Sequence, residues 1–330
     1  MKQFLQKKAK LVFLCMLVLL TCTACANPRG KDGKTRADQI IASEETTIDA
    51  SKINYKDISD KKLKKEIKKN IKDGQYTIQP TTFKNSMSKG WFEGLIVWPI
   101  AQIINLISSK TDAGVGIILT TLLIQMLVFV FTRKSQMSTQ RMQEIQPEIQ
   151  KIQNKYKDKT DERSKMQMAQ EMQNIYQKYD IHPFGSMLVT FIQLPIMMGM
   201  YYATMRSVSV VSGSFMGISL AGTPLDGFKA FDIAYISIYV LMVIFYIVSM
   251  KLPQWLKKWQ DKKDNVKVKK YAQEETNPMA NSMNMSMYFM TAMICIMYIS
   301  WPMAMSFYWL VSSVIRVCQS LILHQVMNKK

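Results

Sequence analysis

Residues 303–323 read MAMSFYWLVSSVIRVCQSLIL and contain a single charged side chain, Arg316. A helix of this length crosses a bilayer, and a charge at such depth usually faces a protein interior or a water-filled cavity. Polar and amphipathic side chains recur at three- and four-residue spacing, so one face carries Trp309, Ser312, Ser313, Arg316, Gln319 and Ser320. We therefore predict a membrane-spanning helix that borders a wet interior. The alternative is a packing arginine that reaches the cytoplasmic headgroups along its own stem.

The charge balance of the whole chain is strongly basic: 330 residues carry a formal net charge of +19. The mean hydropathy is near zero, at −0.03, because apolar spans are averaged with charged segments. Such a balance suits nucleic acid or an anionic membrane surface as a partner. The apolar spans favour the membrane surface, with ribosomal RNA on the cytoplasmic side, over DNA. The sequence has no zinc-site spacing and no glycine-rich phosphate loop, and His182 and His324 lie far apart. We expect neither enzyme activity nor a cofactor other than lipid.

The N-terminus is typical of a secretory signal peptide over 1–24, with lysines before an apolar core at 11–20. Cys22-Thr23-Ala24-Cys25 resembles a bacterial lipoprotein box, in which the last cysteine receives diacylglycerol and fatty acyl groups. This predicts lipidation at Cys25. Cys22, after Leu19-Leu20-Thr21, is a second candidate, and an uncleaved anchor helix is the alternative.

Two segments separate the signal peptide from the first expected span. Residues 25–90 are polar and rich in lysine, which predicts an extracellular basic tether, although the lysine run at 61–69 also suits a surface helix on anionic lipid. Residues 91–110 predict an amphipathic helix on the outer membrane surface. A short span interrupted by Pro99 is the alternative for this second segment.

A core at 111–330 contains five apolar segments, at about 114–131, 184–205, 233–250, 285–300 and 303–323. Lys and Arg are concentrated at 133–179 and in a loop at 251–282, whereas 207–228 contains neither. The positive-inside rule therefore makes the first two segments cytoplasmic and the third external. Five spans then place the N-terminus outside and the C-terminus in the cytoplasm of a multi-pass cell-membrane protein.

Residues 137–180 predict a cytoplasmic antiparallel hairpin of two helices. Apolar residues alternate at spacings of three and four in each arm, which gives each helix a seam. The seam residues are Met142, Ile145, Ile149, Ile152 and Tyr156 in the first arm, and Met168, Met172, Ile175 and Tyr179 in the second. Pro147 lies inside the first arm, and we expect it to kink or restart that helix.

Several stretches together resemble one family, the YidC/Oxa/Alb membrane insertases. The stretches are residues 143–179, His182-Pro183-Phe184-Gly185, Phe191-Ile192-Gln193-Leu194-Pro195-Ile196, and Trp301-Pro302 with Phe307-Tyr308-Trp309-Leu310-Val311-Ser312. The likeness covers about 90–327 and keeps the order of the segments. A signal peptide with a lipobox, and no large external β-domain, is similar to the Gram-positive branch.

The resemblance implies an all-α membrane protein with a five-helix core around a hydrophilic groove, open to cytoplasm and lipid. It implies insertion of nascent membrane proteins, alone or beside the Sec translocon, with translating ribosomes as partners. In the groove it places Thr121 as the family threonine, Gln193 as the family glutamine of the second span, and Trp309 as a substrate-contacting aromatic residue. Ser312 and Gln319 are expected to offer replaceable hydrogen bonds to the substrate.

The sequence departs from the family pattern at the groove cation. Bacterial members usually carry an arginine on the first core span, where this chain has Gln125, and an uncharged residue near Arg316. Counted from the outer ends of their spans, residues 125 and 316 lie at depths that agree within about one turn. We hypothesise that the charge has moved from the first core span to the fifth. Loss of one charge and unrelated gain of another is the alternative.

The polar stripe also suits two other classes of protein. One is a transporter or channel that uses the stripe as a permeation path, and the other is a membrane assembly chaperone without insertion activity. The ordered motifs and the expected hairpin favour the insertase. The lack of paired, interrupted spans disfavours a secondary transporter.

Overall fold

The structure is a computed structural model that describes residues 28–157, 159, 161–181, 185–263, 289 and 291–328. It is mostly helical, and within these residues the strands form two small two-stranded sheets. The signal peptide, both candidate lipidation sites, the greater part of the loop at 251–282, and residues 285–288 and 290 of the span at 285–300 lie outside the described residues.

The helices are labelled in chain order: α1 Lys61–Asn70, α2 Phe83–Lys89, α3 Trp98–Ser108, α4 Ala113–Glu144, α5 Gln146–Lys155, α6 Glu162–Lys178, α7 Gly185–Arg206, α8 Val208–Ser212, α9 Pro224–Ala230, α10 Ile233–Lys263 and α11 Met303–Asn328. A further helical segment covers 291–298. The strands are β1 Thr46–Asp49, β2 Gln75–Ile78, β3 Ser214–Phe215 and β4 Ile218–Ser219. Both sheets are antiparallel pairs, β1 with β2 and β3 with β4.

Within the described residues, three helical stretches are long and apolar enough to cross a membrane: Ala113–Met142, Ile233–Gln260 and Met303–Val326. They contain the predicted spans at 114–131, 233–250 and 303–323. From residue 185 on, the predicted span at 184–205 lies in α7, which contains Pro195. Large apolar side chains of α4 are exposed along one side, as expected of a helix in contact with lipid: Leu119, Leu123, Met126, Leu127, Val130 and Phe131.

The chain divides into two compact units. The first comprises Met1–Thr120, Leu194–Gly222 and Pro302–Met305, and the second comprises Thr121–Gln193, Thr223–Trp301 and Ser306–Lys330.

In the first unit, residues 28–90 are folded, so the expectation of a simple solvated tether is wrong for this part of 25–90. β1 and β2 pair in the register Thr46↔Ile78 to Asp49↔Gln75, with α1 in the connection between them. Isoleucines widely spaced in the sequence form a buried core with two valines of α8: Ile40, Ile48, Ile53, Ile58, Ile67, Ile78, Val208 and Val211. Most of these isoleucines have polar neighbours in the sequence, so the lysine-rich composition conceals them and only the folded chain brings them together.

The segment expected to lie on the membrane surface begins with a π-helical stretch, Glu93–Val97, that continues into α3. Glu93–Ser108 is apolar but shorter than the three helices long enough to span. One side is buried in the first unit through Val97, Ile100 and Ile104, while Trp91, Leu95 and Leu106 are exposed. The segment therefore has two apolar sides, whereas the sequence predicted one.

Polar side chains of α3 join it to the rest of the first unit. Asn105 Nδ2 donates to Ile41 O at 2.8 Å, and Asn105 Oδ1 accepts from Ser207 Oγ at 2.6 Å. Glu93 forms an ion pair with Arg206, and both side chains are largely buried. Burial strengthens the attraction between the two charges. Removal of either partner is costly because it leaves the other as an unpaired buried charge.

In the second unit, α5 and α6 pack against each other. α4 ends at Glu144 and α5 begins at Gln146, with proline in its first turn, so the helix restarts as the sequence predicts. Tyr156 Oη donates to Glu171 Oε1 at 2.9 Å, and Tyr179 Oη donates to Glu148 Oε1 at 2.6 Å. The order of these contacts is reversed along the two helices, which makes them antiparallel. Ile145, Ile149 and Ile181 are buried between them, with Met142, Met172, Ile175, Tyr176 and Tyr179 packed around.

Candidate functional site

The polar stripe of α11 faces the protein interior of the second unit. Trp309, Ser312 and Ser313 are 6%, 1% and 0% exposed, whereas Val314 on another side of the helix is 37% exposed. Arg316 and Gln319 are half-buried on the same face, and Ser320 is buried. A helix with buried serines and an exposed valine is inverted relative to a water-soluble protein, as expected when lipid surrounds its apolar side.

Gln125 and Ser312 join the first and last candidate spans. Gln125 Nε2 on α4 donates to Ser312 Oγ on α11 at 3.2 Å, and both side chains are buried. Thr121 lies one turn before Gln125 on α4 and is fully buried. Two predicted site residues therefore touch across α4 and α11, and a third lies one turn away on α4, although sequence spacing alone did not show which of them touch.

Gln193 and Tyr308 form a second polar contact. Gln193 Nε2 on α7 donates to Tyr308 Oη on α11 at 3.0 Å, and Tyr308 is fully buried. Tyr308 was not predicted as a site residue, because it lies beside the polar stripe rather than on it. Its hydroxyl group could have indicated the contact from the sequence, since the O–H of a buried tyrosine usually forms a hydrogen bond with a polar partner.

Arg316 lies one turn beyond Ser312 and is surrounded by a hydroxyl and two rings. Arg316 Nη2 donates to Ser313 Oγ at 3.1 Å. Its guanidinium carbon is 5.8 Å from the centroid of the Tyr246 ring and 5.7 Å from that of Trp309. The ion pairs among the described residues all lie elsewhere, so no acidic side chain of this part of the chain neutralises Arg316.

An aromatic wall stands beside Arg316. The ring of Tyr298 stacks on that of Trp309 with centroids 4.9 Å apart, and the Tyr246 ring meets Trp309 edge to face at 6.4 Å. Tyr246 belongs to α10 and Tyr298 to the helical segment 291–298. Neither was singled out from the sequence, because a tyrosine in an apolar span is ordinarily a packing residue.

The site is rich in hydrogen-bond donors and poor in charged acceptors. Trp309 Nε1, Arg316 Nε and Ser320 Oγ are buried without a hydrogen-bond partner within the described residues. No group of three or more His, Cys, Asp or Glu side chains suited to a metal ion occurs in this part of the chain. The arrangement offers hydrogen bonds and one positive charge to an acceptor, and it contains no nucleophile paired with a base.

Comparisons with known proteins identify the family of this chain. A family model described as "60Kd inner membrane protein" matches residues 105–330, which is more than half of the chain. The chain belongs to this family. It corresponds to the YidC/Oxa group that the sequence motifs resemble, so that expectation is confirmed. The family match contains every predicted groove residue and excludes the folded segment at 28–90.

Named relatives cover a similar part of the chain. Membrane protein insertase YidC 1 of Streptococcus pyogenes serotype M6 is 30% identical over 237 residues, which are 72% of this chain and 75% of the relative. Membrane protein insertase YidC of Enterococcus faecalis is 30% identical over 237 residues, 72% of this chain and 76% of the relative. Membrane protein insertase MisCA of Bacillus subtilis is 27% identical over 238 residues, which are 72% of this chain and 80% of the relative.

Proposed function

We propose that this protein is a membrane protein insertase, which inserts nascent membrane proteins and helps them fold without covalent chemistry. The observation that carries the proposal is the cluster of polar contacts inside otherwise apolar helices. Gln125 bonds to Ser312, Gln193 bonds to Tyr308, and Arg316 lies one turn further along the same helix. Polar groups at membrane depth are costly unless they line a functional cavity.

The mechanism follows from the cost of moving a polar tail through hydrocarbon. A client's translocated tail loses its hydration on crossing, and that loss opposes insertion. A wet groove part-way through the bilayer shortens the apolar path. Thr121, Gln125, Gln193, Ser312 and Gln319 offer exchangeable hydrogen bonds, Trp309 offers an aromatic face, and Arg316 attracts acidic residues in the tail. The client's apolar span then leaves sideways into lipid along the exposed apolar faces of the helices.

We further propose the finer architecture that the family resemblance implies. The core has five spans around a groove that is open to cytoplasm and lipid, with a lipidated Cys25 and the folded segment 28–90 outside the cell. The α5–α6 pair is the cytoplasmic hairpin, and Trp91 and Leu95 rest on the outer membrane surface. Translating ribosomes and the Sec translocon are the expected partners, and membrane lipids surround the core.

Reconstitution tests the insertase activity directly. The purified full chain in liposomes should insert a small client with a short translocated tail, measured by protection of that tail from added protease. Liposomes without the protein are the baseline, and depletion in cells identifies the clients. The permeation-path alternative predicts solute or ion flux across the same liposomes without client insertion, and that result would overturn the proposal.

A further inference from the structure

Arg316 is stabilised by aromatic rings where a buried cation usually has a carboxylate. Its guanidinium carbon lies 5.8 Å from the Tyr246 ring centroid and 5.7 Å from the Trp309 ring centroid. Aromatic faces attract cations at distances up to about 6 Å. Both rings come from the same compact unit as Arg316. The positive charge is therefore held in place without being neutralised by an acidic side chain of the described residues.

The rings that hold the arginine are themselves fixed. Trp309 is 6% exposed and is stacked on Tyr298, which is 5% exposed, at an interplanar angle of 25°. Tyr246 meets Trp309 at 84°, so the two rings that contact the guanidinium are nearly perpendicular. Two perpendicular faces define a corner, and a planar cation in that corner has few alternative positions.

We propose that Tyr246 and Trp309 form an aromatic clamp that keeps Arg316 available for carboxylates, so that the clamp sets the preference of the groove for acidic over neutral client tails. This inference rests on the proposed insertase function. Tyr246 is a positioning residue here, since it acts on the client through Arg316.

The chemistry of the clamp explains why rings suit this position better than an acid. A protein carboxylate would occupy the guanidinium N–H groups and compete with the carboxylate of a client. Ring faces attract the cation without occupying the guanidinium N–H groups that a carboxylate would use. Arg316 Nε is buried without a partner within the described residues. Because the attraction to a ring is weaker than a buried ion pair, a client can engage the arginine and leave again.

The test measures binding rather than insertion, with the full chain in lipid nanodiscs. The probes are two synthetic tail peptides of the same sequence, one with three Asp residues and one with Asn in their place. The quantity of interest is the ratio of the two affinities. Tyr246→Leu should lower that ratio by about three- to tenfold, in line with the strength of partly desolvated cation–π contacts. Tyr246→Phe, the matched control that keeps the ring face, should leave the ratio within about twofold.

A second background separates the clamp from general packing. In Arg316→Gln protein the ratio should already be low, and adding Tyr246→Leu should not lower it further, because the ring then has no cation to hold. An equal loss for Tyr246→Phe and Tyr246→Leu, or the same effect of Tyr246→Leu in both backgrounds, would overturn the clamp. If Tyr246→Leu fails to fold, Tyr246→Met against Tyr246→Phe provides the same comparison.

Failure of the clamp and failure of the proposed function give different results. If the wild-type chain inserts clients in liposomes but Tyr246→Leu leaves the affinity ratio unchanged, only the clamp is wrong. If the wild-type chain prefers the acidic peptide and Tyr246→Leu removes that preference, while no client is inserted, the clamp stands and the insertase proposal is wrong.

Discussion

The side-chain amide of Gln125 donates to Ser312 Oγ at 3.2 Å, and Arg316 follows Ser312 by four residues on the same helix. At 1.5 Å of rise per residue, Gln125 meets α11 about 6 Å from the level of Arg316. The family resemblance aligns Gln125 with a groove arginine. A long side chain at 125 covers that distance. The structure thus places Gln125 and Arg316 close enough in depth for the relocated-charge hypothesis to be tested by exchange of residues.

Arg316→Ala should impair clients with acidic translocated tails more than clients with neutral tails, because the lost interaction is an attraction between charges. The expected difference is about tenfold, the scale of a hydrogen bond to a charged group. Gln125→Arg in the same protein should restore part of the activity toward acidic tails, and Arg316→Lys should retain more activity than Arg316→Gln. In vitro insertion of one tail series, varied only in its number of acidic residues, measures all four variants.

The control for this series is Arg163→Ala, which removes one positive charge from an exposed position on α6. Protein levels must be matched, because the loss of packing contacts made by an arginine can itself destabilise the helices. Equal losses across the tail series, without rescue by Gln125→Arg, would show that Arg316 is structural.

Arg206→Met should destabilise the first unit, because it leaves Glu93 as an unpaired buried charge. Arg206 Nε also donates to Gln39 O at 2.7 Å, so the same change removes a contact with the folded segment at 28–90. The expected loss is about 3–5 kcal/mol of unfolding free energy, the usual result of breaking a buried ion pair from one side. Limited proteolysis of residues 28–90 and thermal unfolding measure it.

The exposed pair Lys155–Glu171 provides the contrast, since the Lys155 side chain is 57% exposed. Lys155→Met should change stability little. The double variant Glu93→Gln with Arg206→Met should be less destabilised than the sum of the single variants. A simple sum would mean that the two side chains do not depend on each other.

Replacement of residues 141–179 by a short Gly-Ser linker should weaken engagement of ribosomes or clients and leave the membrane-embedded helices folded. The reason is that the apolar residues of α5 and α6 are buried mainly against each other. Ribosome co-sedimentation and client insertion measure the loss, and protease-resistant core fragments report the folding of the spans. Normal insertion by the truncated protein would show that these helices act only as a spacer.

Acid should loosen the α5–α6 pair. The hydrogen bond from Lys155, and then that from Tyr156, lowers the pKa of the Glu171 carboxyl below its usual value. A carboxyl whose pKa is lowered on folding stabilises the folded state above its usual pKa, and that contribution is lost as the pH falls through the lowered value. The protection factors of α5 and α6, which are corrected for the intrinsic slowing of amide exchange in acid, should therefore fall on acidification in the wild type. Glu171→Gln should reduce that fall, and an unchanged pH response would show that another group causes it.

The proposed processing and topology are tested outside the groove. The mature N-terminus should be a diacylated Cys25, which mass spectrometry measures. An intact N-terminus or a modified Cys22 would contradict this prediction. A single cysteine at Ser214 should react with an impermeant reagent from outside the cell, whereas one at Asn265 should not. External labelling at residue 265 would show that the orientation is opposite to the proposed one.

The family, the long helices and the polar face of α11 were predictable from the sequence, because each depends on local patterns. A span requires only a sufficient run of apolar residues, and a stripe requires only helical spacing around Arg316. The restart at Pro147 is likewise local, since proline cannot donate the hydrogen bond that a continuous helix requires. The ordered motifs then pointed to the family that the comparisons confirm.

The partners of the polar side chains were decided only by tertiary structure. Nothing in the spacing of residues shows that Gln125 meets Ser312, that Gln193 meets Tyr308, or that Tyr246 faces Arg316, because each pair joins separate helices. The isoleucine core at 28–90 was not predicted for the same reason, since its members are widely spaced in a lysine-rich segment and come together only on folding. Local periodicity fixes which face of a helix is polar, whereas packing between helices decides what that face touches.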